Sequence, residues 1–136
     1  MYELFEHTAD LGLRVRAPDL DALFREAAQG LFAMIVEPLP HGPCVKRMPF
    51  AIAGERYDFL LFDWLNELLY FFDTERMMMG EFEVAIEDHT LRATASGFEL
   101  DTKKYCLLRE VKAITYHGLR VESTDDGWLA EVIVDI

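Results

Sequence analysis

Apolar residues recur along this chain with two periods, and the points where the period changes mark out its elements. Tyr2 to Glu6 reads as a short first strand, broken at His7-Thr8-Ala9-Asp10. Leu11, Leu13, Val15 and Ala17 then alternate with Gly12, Arg14 and Arg16, which is the pattern of a half-buried strand. Pro18 stops it, and Asp19 is a good N-cap for a helix. Leu20, Leu23, Phe24, Ala27, Ala28, Leu31, Phe32 and Ile35 keep helical spacing and predict one amphipathic helix. Residues 37–43 hold three prolines and a glycine and predict a loop. Met48, Phe50 and Ile52 alternate with Arg47, Pro49 and Ala51, and the proline assigns that strand to a sheet edge because it has no N–H for the ladder.

A second helix is predicted over Tyr57 to Glu75, apolar on most sides except the stripe Asp63, Asn66, Glu67. Phe82, Val84 and Ile86, then Leu91, Ala93 and Ala95, alternate about a turn at Asp88-His89 and read as a hairpin. Residues 97–109 read as a polar loop. Three further strands are predicted over 110–117, 119–123 and 128–136, the last two joined through the turn signal Asp125-Asp126-Gly127. The order β-β-α-β-α-β-β-β-β-β contains no alternating βαβ series. It predicts an α+β two-layer sandwich, two helices packed on a mostly antiparallel β-sheet, as a single domain over 1–136.

Charge narrows the function classes. Twenty-five acids against thirteen bases give a formal charge of −12, which repels a phosphate backbone, so any action on RNA is expected to run through a partner. Cys44 and Cys106 stand in no ligand-type spacing, and Glu3 and Glu6 sit where a signal peptide would be basic. The longest apolar run, Phe59 to Phe72, is interrupted by Asp63, Asn66 and Glu67 and is too short to span a bilayer. A soluble, cytoplasmic protein is expected.

The candidate chemistry is sparse. Asp10, Asp135 and the carboxylate of Ile136 offer oxygen donors, the type that hard cations such as calcium or magnesium select. On residue types alone the alternative stands beside it: Asp10 caps a turn, and Asp135 lies at a solvated strand end. Glu131 shares a strand face with Asp135, as a further donor or as surface. Asp63 and Glu67, four apart on the second helix, repel each other, and a cation, a base such as Arg14 or Arg16, a partner protein or plain solvation relieves them. Lys112 is a candidate contact for a phosphate or a partner acid, or an exposed strand lysine. Met77-Met78-Met79 suits a protein contact or a crossing packed on the core. His7 and His117 read as structural, and His41 and His89 as turn residues. No nucleophilic triad and no phosphate-binding glycine loop is present.

Four stretches carry a resemblance: His7-Thr8-Ala9-Asp10-Leu11-Gly12; Leu61 to Leu69 with Phe72-Asp73-Thr74-Glu75; Glu110 to His117; and Val134-Asp135-Ile136. In that order and spacing, the chain resembles the archease family, protein activators of the RtcB-type tRNA-splicing RNA ligase. The resemblance implies a protein cofactor without catalysis of its own. Such a cofactor promotes ligase guanylylation and multiple turnover, and broadens nucleotide use, in joining 2′,3′-cyclic phosphate or 3′-phosphate ends to 5′-hydroxyl ends. It implies a divalent metal, calcium with magnesium or manganese as alternatives, on Asp10, Asp135 and Ile136, while Lys112, Asp63 and Glu67 stay candidate partner contacts on their residue types alone. The competing classes are a metal-dependent phosphoester hydrolase and a general chaperone or adaptor. One departure is visible: the chain reads Asp101-Thr102-Lys103-Lys104-Tyr105 where the family usually ends this segment on histidine.

Overall fold

The computed structural model of the protein describes residues 1–7 and 10–136, without the side chain of His7. The break expected at His7 to Asp10 therefore lies partly outside the described residues, and its flanks are the visible part. The strands are β1 (Tyr2–His7), β2 (Asp10–Ala17), β3 (Val36–Glu37), β4 (Lys46–Ala53), β5 (Met77–Glu87), β6 (Thr90–Glu99), β7 (Cys106–Leu107), β8 (Ala113–Ile114), β9 (Arg120–Thr124) and β10 (Gly127–Asp135). The helices are α1 (Leu20–Ile35) and α2 (Tyr57–Glu75).

The α+β architecture holds, and every strand pairing described is antiparallel. The strands divide among three sheets. The largest runs β1-β2-β10, and β8 and β9 share the far edge of β10, one beside its end and the other beside its start. A second sheet runs β4-β6-β5, and β3 pairs with β7 alone. Pro49 does lie on an edge strand, since among the described residues β4 pairs only with β6.

Local chemistry explains the helices. The Asp19 carboxylate accepts the Ala22 N–H at 2.8 Å, capping α1. Helix α1 packs on β2 and on β5, and α2 touches β4 and β5 on one side and β8 and β9 on the other. Wedged between the two larger sheets, the helices bury Phe24, Leu31, Phe32, Leu61, Trp64, Leu65 and Leu68. Trp64 is fully buried, and its indole N–H donates to the Phe24 carbonyl at 3.0 Å, so its one polar atom is satisfied where water is excluded. Phe50 meets it edge-on at 5.2 Å.

One open alternative is settled and two expectations change. Met77, Met78 and Met79 are all buried and begin β5, so this segment is core. The stretch 97–109 carries the end of β6, β7 and the buried Tyr105. The strand predicted over 110–117 shrinks to β8, with the Lys112 and Thr115 N–H groups on either side of it donating to the Asp135 and Ile133 carbonyls of β10. Among the described residues no helix is long and apolar enough to cross a membrane.

Candidate metal site

Asp10 opens β2 and Asp135 closes β10, and the antiparallel register sets them directly opposite each other. Directly opposed residues point to the same face of a sheet, with Cβ atoms about 5 Å apart, and like charges so placed destabilise the pair. The position of Asp135 is fixed from its other side as well. It pairs with Ala113, and its carbonyl accepts the Lys112 N–H at 2.7 Å. Asp10 is half-buried and Asp135 exposed, while Ile136 comes next in the chain. The carboxylates thus sit at a sheet end that solvent or another molecule can reach.

Four residues inland, the same face of the same strands is built differently. Arg14 lies opposite Glu131. Its Nε donates to Glu131 Oε2 at 2.9 Å and its Nη1 to Glu3 Oε1 at 3.1 Å. From β9, Arg120 donates through Nε to Glu131 Oε1 at 2.6 Å and through Nη1 to Glu122 Oε1 at 2.9 Å. Burial alone pushes the Glu131 carboxyl up, but the hydrogen bonds from Arg120 and Arg14 outweigh it and hold the group below its ordinary range. Glu131 is therefore committed to this network. So is Arg14, one of the two bases considered as relief for Asp63 and Glu67. Between network and acid pair the Phe5 ring lies over Gly12, where a Cβ would come within 2.2 Å of it. The Arg14 guanidinium sits 4.6 Å from the centroid of that ring.

The donor chemistry of the acid pair fits a hard cation. Two opposed carboxylates supply oxygen only, and a divalent ion between them would cancel their repulsion. Calcium takes about six to eight oxygens, and among the described residues no three His, Cys, Asp or Glu side chains are grouped so as to hold a metal ion. The pair alone offers fewer oxygens than such an ion takes. The remainder has to come from backbone, water or a second molecule.

The other candidates fall beside this end of the sheet. Lys112 and Glu67 line one open groove with Asn66, Leu69, Tyr70, Asp73 and Ala113. Asp63 lies exposed on the same helix. Asp73, which the residue pattern did not single out, is held above its ordinary value by burial and by nearby Glu110, against the opposing effect of Arg76.

Residues 2–136 match the model of the Archease protein family (MTH1598/TM1083). The chain is 38% identical to protein archease of Pyrococcus furiosus, covering 99% of this chain and 98% of that one. It is 33% identical to protein archease of Methanosarcina barkeri, covering 99% and 95%. The solution structure of Methanobacterium thermoautotrophicum protein 1598 superimposes with a TM-score of 0.81 at 32% identity, covering 99% and 98%. The chain belongs to the archease family. A crystal structure of a Thermotoga maritima archease, described as a possible chaperone, shares the fold with a TM-score of 0.64 at 19% identity, covering 100% and 98%.

The four stretches that carry the archease resemblance meet in space. Asp10 and Leu11 pair with Asp135 and Val134, which pair with Ala113 and Ile114, and the 110–117 segment runs along α2. Ala113 shares the groove with Asn66, and Tyr116 stacks on Phe62. The departure from the family is accommodated within the core. Tyr105 is buried, and its hydroxyl donates to the His41 carbonyl at 3.0 Å and accepts the His41 N–H at 3.2 Å, tying the 37–43 loop down.

Proposed function

We propose that this protein is a metal-binding, non-catalytic activator of the RtcB-type tRNA-splicing RNA ligase, promoting ligase guanylylation and multiple turnover. The observation that carries the reading is the direct opposition of Asp10 and Asp135 within a member of the archease family. Asp10, Asp135 and the Ile136 carboxylate would hold a divalent cation, calcium foremost. Bound there, the ion supplies a localised positive charge for nucleotide or ligase oxygens. An incomplete donor set at an accessible sheet end suits a site completed by another protein. The charge of −12 suits a basic, RNA-binding partner and disfavours direct RNA contact.

The test is a guanylylation and ligation time course with the cognate ligase, with and without this protein. Stimulation by the wild type and none by Asp10→Asn or Asp135→Asn, both still folded, is the expected result. Full stimulation by either variant refutes the site. Phosphoester turnover by the protein alone, or suppression of aggregation of unrelated clients, would move the protein to the hydrolase or chaperone class.

A further inference from the structure

Phe59 and Phe62 lie three apart on α2 and therefore share its outward side. Tyr116 comes to them from beyond β8. It stacks on Phe62 with ring centroids 4.0 Å apart and planes within 13°, and meets Phe59 edge-on at 5.8 Å. This ordered cluster is not covered by the fold: Phe59 is 44% exposed and Tyr116 61%. Isolated exposed aromatics are common, but three rings holding one another in place at the surface form a preorganised platform.

Two classes of macromolecule use such platforms. Unpaired bases stack on aromatic rings where a basic groove tracks the backbone. Protein partners bury them as anchors. The charges beside this cluster decide between the two. Asp63 is exposed one residue beyond Phe62, with Glu67 a turn further along the helix. The nearby base, Arg56, is held by Asp58 through contacts of 3.1 and 2.5 Å while its guanidinium lies 4.6 Å from the Phe59 ring centroid. An acidic rim repels phosphate and favours arginine and lysine, and arginine also stacks on exposed rings.

We infer that the Phe59–Phe62–Tyr116 platform, with Asp63 on its rim, is the docking surface for a basic, arginine-bearing face of the protein partner. The inference rests on the proposed ligase reading and deepens it by separating docking from activation. Thr115, next to Tyr116, donates its N–H to the Ile133 carbonyl, two residues before Asp135, so platform and acid pair lie about 10 Å apart along β10. One partner can cover both.

The experiment measures binding of the ligase to wild type, Phe59→Ala, Tyr116→Ala and Asp63→Lys, together with guanylylation rates across activator concentrations. All three positions are exposed, and circular dichroism checks that each variant is folded. Each variant is expected to bind at least about tenfold more weakly, with the wild-type rate recovered at saturating activator. Asp63→Lys should also reduce the weakening of binding by added salt relative to wild type. Wild-type affinity in all three variants, with the wild type still stimulating, overturns the platform and leaves the ligase reading intact. A wild type that neither binds nor stimulates the ligase overturns both. Binding of single-stranded RNA by the protein alone, lost in Tyr116→Ala, overturns the protein partner in favour of RNA.

Discussion

Strands β2 and β10 carry two cross-strand pairs on one face, four residues apart, with opposite electrostatics. Inland, Arg14 faces Glu131, and the flanking Glu3, Arg120 and Glu122 alternate in sign around them. At the sheet end, Asp10 faces Asp135. The first arrangement is what a sheet does to stabilise itself. The second opposes it, since like charges directly across a ladder raise the energy of the folded state. Two such solutions on one face set a charge-paired stretch of the sheet beside one whose directly opposed residues carry the same sign.

The largest expected effect comes from breaking the sheet-end pair in the presence of metal. Calcium at about one hundred times its dissociation constant should stabilise the wild type by about 2.7 kcal/mol, read as a rise in Tm. Asp10→Asn and Asp135→Asn should lose that rise. Next is the inland pair. Glu131 is mostly buried and accepts from two guanidinium groups, so Glu131→Gln should cost about 1–2 kcal/mol by chemical denaturation, with the calcium response intact. A double-mutant cycle with Arg14→Ala isolates the pair.

The inland pair also carries the acid dependence. Because the folded state holds Glu131 below its ordinary 4.5, its contribution is fully present above that value and is lost as pH falls through the folded-state value. Glu131→Gln should flatten the acid limb of stability against pH. A smaller effect turns one pair into the other: Asp135→Lys places a base opposite Asp10 and should add about 0.2–1 kcal/mol while removing the calcium response. The smallest is Asp73→Asn. Burial and Glu110 raise the Asp73 carboxyl above 3.8, so its favourable contribution exists below that value and fades as pH rises through the folded-state value. At neutral pH the amide should stabilise by a few tenths of a kcal/mol, given the exposure of the side chain.

Amphipathic spacing made α1 legible, because a helix reports its buried side every three or four positions, and a long apolar run interrupted by Asp63, Asn66 and Glu67 made α2 legible. The β2 alternation was equally plain. Period two announces a strand but not its partner, so the division into three sheets and the sharing of one β10 edge by β8 and β9 stayed hidden. Met77 to Met79 concealed the start of β5 because consecutive residues are all buried and no alternation appears. Residue type alone left Asp10 and Asp135 open between strand ends and metal donors, and only the register opposes them. The aromatic platform was half visible, in the spacing of Phe59 and Phe62. Tyr116 joins them through packing that no local pattern encodes.

The most direct test compares the two pairs in one assay: the initial rate of ligase guanylylation with saturating Asp135→Asn and saturating Glu131→Gln. The account predicts no stimulation by Asp135→Asn and wild-type stimulation by the less stable Glu131→Gln. Equal stimulation by both, or loss only with Glu131→Gln, would contradict it.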